Sequence, residues 1–412
     1  MFLRRSSLAL AMAVASAMPC PAASPGPVPV TSPGRLPVFE ISPFNADHPD
    51  PDVISPKSVL FHPSQPKLYI NALEAGKTLV YSSDGHTKLA TIQHRYSDHA
   101  HLREGDSFFG KPVEGWFTHD GRYLWITYYR WSDDPNAVGS SGFCLIDTET
   151  DRIVRGFRTG NIPKIITANE DSSLLAVTLW GSNQVELYDI ANPLAPLRKA
   201  VIAVGPPVEA KPGSNRDATC GLCLRGTAFL PGGRLLAVAR MGGGGLSLVD
   251  LDTLKVVRTL LNVPHTPRHI QVHEDWLYLS ANTSGTVARI ALADLQHAAD
   301  DPQYEPPVQS RKVGEGARTL KVVGDHVFFA LNQSSEIGVT DLDFSHLMQF
   351  SAPSYPVGLD VQGDRLAVTS QGRNGIGGHR VWIYDLNSLL ATTTAQDNAA
   401  SGSQMPSRLR LH

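Results

Sequence analysis

The chain repeats one pattern along most of its length. A short strand, a tight turn, a second strand, a polar loop, a third strand ending in Asp and a fourth strand recur, most clearly from 112 to 130 (PVEGWFTHDGRYLWITYYR), 162 to 190, 224 to 260 and 355 to 373. Fainter copies are PKSVLFHPSQPKLYINA, TPRHIQVHEDWLYLSAN and GARTLKVVGDHVFFALN. Aligned on the position that leads the first strand, the copies begin at Pro56, Pro112, Pro163, Leu224, Pro267, Ala317 and Pro356. Turns such as His119-Asp120-Gly121-Arg122 and Pro231-Gly232-Gly233-Arg234 supply the residue types that tight hairpins need. A period near 40 to 50 residues with about four strands per copy predicts propeller blades. The fold expected is therefore all-β, a seven-bladed β-propeller of four-stranded antiparallel blades.

Closure tests that expectation. The last copy shows strands only at 357 to 361, 365 to 370 and 381 to 386, and the tail ATTTAQDNAASGSQMPSRLRLH is too polar to supply a fourth. A spare strand at about 37–41 (PVFEI) is predicted to pair onto the last blade, leaving no long exposed edge. Sustained helical periodicity is confined to a turn or two near 290 to 299.

The first residues, MFLRRSSLALAMAVASA, set Arg4 and Arg5 before an apolar run that ends in the small-residue site Ala15-Ser16-Ala17. They are read as a signal peptide, 1–17, which places the mature protein in the periplasm or outside the cell. A lipoprotein reading through Cys20 fits poorly, because Ala17-Met18-Pro19 departs from the usual pattern before such a cysteine. Residues 18–35 form a Pro/Ser-rich linker, 36–390 the propeller and 391–412 a disordered tail. No other segment reaches the roughly 18 apolar residues of a membrane span. A net charge of -3 gives no global attraction to nucleic acid, so a polyanion site would have to be a local patch. A monomer is expected.

The units GSNQVELYDI, GGGGLSLVDL, SGTVARI and SSEIGVTDL, with LYIN, LWIT, LAVT and LAVA as degenerate copies of Tyr-Val-Thr-Asn, resemble the YVTN-repeat β-propellers, the YncE-like exported bacterial family, over about 56 to 386. The resemblance implies an exported seven-bladed propeller whose members mostly bind other molecules, and it implies no reaction.

The first strand of each blade lines the channel, and the residue after the leading position is expected near one mouth. Across the blades it is Lys57, Val113, Lys164, Arg225, Arg268, Arg318 and Val357, five of them basic. Loops between second and third strands add Arg130, Arg240 and Arg373 on the same face, and Trp180 ends a second strand there. Converging guanidinium groups suit capture of carboxylate or phosphate, and the glycines of 242–245 and 372–378 would let backbone N–H groups approach. The ligand-binding set is thus Lys57, Lys164, Arg225, Arg268, Arg318, Arg130, Arg240, Arg373 and Trp180, recognising an anionic small molecule, polymer or partner protein. The structural reading is that these cations pair with Glu114, Asp147, Asp189, Asp250 or Asp385 and join blade to blade.

An alternative function is a lactonase-type hydrolase in which Arg225 and Arg268 polarise a carbonyl and His269 or Glu114 activates water. No nucleophile elbow, zinc-protease motif or phosphate loop supports catalysis. His99 and His101, near His94 in an inserted loop, are weak metal candidates, and no cofactor is expected. Cys220 and Cys223 suit a local disulfide: Leu224 stands where a haem motif needs His, and zinc would want a second pair. Cys144 is expected in the core. Trp116, Trp125, Trp276 and Trp382 are expected to pack between blades.

Overall fold

The computed structural model describes residues 36–96, 108–129, 141–208, 219–372 and 378–390. The residues 1–35 and 391–412, and with them the leader, linker and tail readings, lie outside it, as do Arg130, Arg373, His99 and His101.

Seven four-stranded antiparallel sheets follow one another. Their inner strands are Pro56–Phe61, Pro112–Thr118, Pro163–Ala168, Leu224–Phe229, Pro267–His273, Ala317–Val323 and Pro356–Gln362, beginning at the seven positions read from the repeat. Each inner strand lies against those of the blades on either side, and the seventh against the first, so the ring is closed. In the last blade the fourth strand is Phe39–Ile41, whose Phe39, Glu40 and Ile41 face Ile383, Trp382 and Val381. Glu40 reinforces this closure by accepting from Arg380 at 2.6 Å and from the Trp382 indole at 2.7 Å.

Second and third strands are buried almost throughout, Leu68 to Ala72 and Ser141 to Asp147 for example, because sheets cover both of their faces. The resulting cores lie between consecutive blades, as where Trp125 and Phe143 of blade two meet Ile166 and Val177 of blade three. Fourth strands such as Leu197–Ala203 are mostly exposed, with Ile202 the buried position here. Cys144 is fully buried, as expected. A helix, Leu292–Asp300, follows the third strand of blade five and buries Leu292, Leu295 and Ala298. The inserted segment between blades one and two is not simply a loop, since Arg95–Tyr96 pairs with Phe108–Phe109 at its base.

Two backbone features bear on the channel. In six blades the residue before the leading position is left-handed: Ser55, Ile162, Cys223, Thr266, Gly316 and Tyr355 all have φ between 47° and 80°. For a β-branched residue such as Ile162 this is strained, at about 1–3 kcal/mol. Immediately afterwards the register slips. Pro163 faces Leu179 while Ile166 faces Val177, and the same happens after Pro56, Pro112, Leu224, Pro267, Ala317 and Pro356. A turn followed by a bulge re-aims the side chain held in it.

Candidate functional site

The residues in those seven bulges are the ones the repeat alignment singled out. Two are the valines Val113 and Val357; the five cations are buried, with exposures of only 3% to 8%. This corrects the expectation of a solvent-facing rim. Seven inner strands crowd around one axis, so a side chain turned inward by the bulge meets those of the other blades before it meets water.

The degenerate motif helps to hold this layer. Its last position is a hydroxyl in LWIT, LAVT and LYLS. Thr127 donates to the Lys164 carbonyl at 3.2 Å, Thr178 to the Arg225 carbonyl at 3.0 Å, and Ser280 to the Arg318 carbonyl. Each hydroxyl bonds the cation-bearing residue of the following blade. Where the position is Ala239, the next blade approaches instead over Gly226, on which a Cβ would come within 2.7 Å of the Arg268 carbonyl.

Four of the five cations, Lys57, Arg225, Arg268 and Arg318, lie close enough to act on one another. Burial, then Arg318, Arg225 and Arg268, push the Lys57 ammonium well below its ordinary range, while Glu114 opposes the shift. Glu114 Oε1 lies 3.3 Å from Lys57 Nζ. Burial, then Arg225 and Arg318, act in the same downward direction on Arg268. A guanidinium keeps its proton near neutral pH, so this crowding is carried as a free-energy cost. Arg268 Nη1 meets only the Met241 thioether, a weak acceptor, at 3.2 Å, and its Nε has no hydrogen-bond partner among the described residues. Lys164 sits over Tyr129, 3.5 Å from the ring centroid, and 5.1 Å from that of Trp180; Arg225 is also 5.1 Å from Trp180. Trp180 is buried there rather than flanking an open mouth.

Of the five acids weighed as partners, only Glu114 bonds a member of the layer among the described residues. Asp147 pairs with Arg122, Asp250 with Arg234, and Asp189 and Asp385 accept from local backbone N–H groups. Arg240 is half-buried, and desolvation lowers its pKa. The Cys220–Cys223 disulfide is formed and packs with Ile162, Trp180 and Met241; a Cβ on Gly242 would lie 2.4 Å from Cys223 Sγ. That glycine therefore serves packing of the turn against the disulfide.

A cavity of about 670 Å³ occupies the channel on the other side of the layer. Glu114 and His269 stand at its inner end, Ile165, Leu320 and Leu359 on its walls, and Asp120, Asn169 and Gln362 towards the strand ends. The five cations are not on its surface. Trp116 is on it, and at 41% exposed it departs from the expected packing between blades. Trp125, by contrast, is fully buried. Burial, then Arg225, Arg268, Lys57 and Arg318, hold His269 well below the ordinary histidine range, so it is neutral. His94, taken with the loop histidines, turns into the core instead: its ring bonds Thr78 at 2.7 Å and Tyr128 at 2.9 Å, and burial lowers its pKa to about 3. No group of three or more His, Cys, Asp or Glu able to hold a metal occurs among the described residues. Nor is any described helix long and apolar enough to cross a membrane.

No protein-family model matches the chain, and no curated protein does. Solved structures do. The Myceliophteria thermophila Cps50 (Swd1) β-propeller domain is similar at TM-score 0.59 and 14% identity, over 80% of this chain and 97% of that one. Kuenenia stuttgartiensis hydrazine synthase is similar at TM-score 0.55 and 11% identity, over 83% and 98%. A chain of a mitotic checkpoint complex is similar at TM-score 0.59 and 10% identity, over 91% and 98%. At these identities the likeness is one of fold. The chain is a seven-bladed β-propeller.

Proposed function

We propose that this is an exported, monomeric binding propeller of the YVTN-repeat kind, acting in the periplasm or outside the cell without catalysis, whose channel takes an anionic small molecule or an anionic group of a polymer or partner protein. The observation that carries the reading is Arg268: a buried guanidinium crowded by Arg225 and Arg318, attracted in return by Glu114, with the Met241 thioether on Nη1 and no hydrogen bond on Nε among the described residues. A bound carboxylate or phosphate would supply the charge and acceptors it lacks. The mitotic checkpoint complex among the similar structures supports a binding role in the limited sense that this fold occurs in an assembly. Calorimetry with inorganic phosphate and with citrate tests it. Binding that weakens with salt and is lost in Arg268→Ala is expected; binding of neither anion, or binding unchanged in Arg268→Ala, overturns it.

A lactonase-type hydrolase is the second reading, favoured by Glu114 and His269 lying on one cavity. Against it, the cations that keep His269 neutral also make it a weak base, and Glu114 is held by Lys57. Lactone turnover abolished by His269→Ala would establish this reading in place of the first.

A further inference from the structure

The cavity carries charge of the opposite sign to the layer behind it. Its lining holds Glu114, Asp120, Glu170 and Asp360 against a single ammonium, Lys321. Two of these carboxylates are already answered, since Glu114 lies 3.3 Å from Lys57 and Asp360 lies 2.8 Å from Lys321. Asp120 and Glu170, both exposed at the outer end, pair with no cation among the described residues. They belong to the turns that end the inner strands of blades two and three, and those turns are tied together, the His119 N–H donating to Ser172 Oγ at 3.0 Å. Acids at a mouth would by themselves only be solvated, but the same two strands bring more. Trp116 and Thr167 stand at one level, four residues after Pro112 and Pro163, and both line the cavity. Trp116 is 41% exposed and presents its ring to the channel. Thr167 is only 6% exposed, yet its hydroxyl has no hydrogen-bond partner among the described residues, a state in which buried hydroxyls are rarely left.

One wall of the channel thus combines an indole face, two unpaired carboxylates and a buried hydroxyl able to accept. From this juxtaposition we infer that the wall formed by blades two and three binds a small organic cation, an alkylammonium whose head rests over Trp116 within the field of Asp120 and Glu170 and donates an N–H to Thr167. Indole is the best aromatic partner for such a head, at up to about 6 Å from the ring centroid. At about 670 Å³ the cavity has the size of a small-molecule site. The buried layer opposes a cation at the inner end, so the ligand keeps to the outer half. Trp116 and Thr167 stand three residues beyond the layer positions Val113 and Lys164 on their own strands, roughly 10 Å at about 3.3 Å per residue, with Glu114 on the strand between. This inference goes beyond the anion reading, which concerns the buried layer, and does not rest on it.

The experiment compares hexylammonium with hexan-1-ol, which has the same chain without the charge, and with hexanoate, by calorimetry on the intact chain. Hexylammonium is expected to bind about tenfold or more tightly than hexanol, with hexanoate weakest, and its binding to weaken with salt. Trp116→Ala lowers hexylammonium affinity by about tenfold, and Trp116→Phe restores most of it. Asp120→Asn combined with Glu170→Gln also weakens hexylammonium and removes most of the salt dependence. Thr167→Val weakens hexylammonium but leaves hexyltrimethylammonium, which has no N–H to donate, unchanged. Trp116 is too exposed for its truncation to open a core cavity, and an unchanged thermal midpoint confirms the fold. Hexanol or hexanoate binding as tightly as hexylammonium, or hexylammonium binding indifferent to Trp116→Ala, overturns this inference while the anion reading stands. Phosphate binding lost in Arg268→Ala while hexylammonium binding persists supports two separate sites; hexylammonium binding as described with no phosphate binding in the parent overturns the anion reading alone.

Discussion

Charge is handled in opposite ways away from the axis of the propeller and on it. Away from the axis, partly exposed cations each meet an acid directly: Arg122 with Asp147 at 2.7 Å, Arg234 with Asp250 at 3.0 Å and Asp300 at 2.5 Å, Lys77 with Asp52 at 2.5 Å. On the axis, Lys57, Arg225, Arg268 and Arg318 are brought together out of water, with Glu114 against Lys57. Exposed pairs contribute little to stability, whereas buried like charges oppose it. The outer pairs need no purpose beyond solubility and register. The axis destabilises the fold that carries it.

That contrast is open to measurement. Glu114→Gln removes the counter-charge from a buried ion pair and should lower the free energy of unfolding by about 3–5 kcal/mol in urea titrations. Added phosphate should recover much of the loss and bind the variant more tightly than the parent; a variant as stable as the parent would mean that the layer carries no charge strain. Of comparable size, about 5 kcal/mol over its whole pH range, is an acid-side effect. Because His94 has a folded pKa of about 3, below its ordinary 6.5, the unfolded chain binds a proton that the folded one excludes. Its contribution is therefore intact above pH 6.5 and is lost as pH falls towards 3, at about 1.4 kcal/mol per pH unit. His62 and His269, also depressed, act in the same direction, so His94→Gln should flatten the slope of stability against pH by one proton without abolishing it. Thr178→Val, which removes the hydroxyl on the Arg225 carbonyl, should lower stability by about 1 kcal/mol and weaken phosphate binding. Smallest of all, Arg234→Ala, away from the axis, should leave the denaturation midpoint unchanged. A loss there comparable to that of Glu114→Gln would erase the distinction between the two regions.

Much of the fold is legible in the chain because blade residues obey local rules. Alternation, hairpin turns and the spacing of Pro56, Pro112, Pro163 and the other leading residues place all seven inner strands, and the missing outer strand of the last blade points to Phe39–Ile41. The five inward cations were legible as well, since they share one alignment column. Their depth was not. It depends on the left-handed residue before the strand and on the bulge after it, and Ser55, Ile162 or Tyr355 carry no mark of a positive φ. Trp116 was misread for a related reason: in sequence it looks like any strand tryptophan, and only its place on an inner strand separates it from the fully buried Trp125. His94 shows the converse, a loop residue by position that the base of the insertion folds into the core.

By itself the sequence determined that similar sheets recur seven times, where each begins, and that one column of the repeat is mostly basic, because these follow from patterns within a few residues of one another. Tertiary structure alone decided that the column closes into a buried layer, that Glu114 rather than Asp147 or Asp250 answers Lys57, and that a cavity bearing Trp116 and Thr167 lies beyond it. Those outcomes depend on which strands meet across the axis. Residues more than fifty positions apart become neighbours there, and nothing local encodes the distance between them.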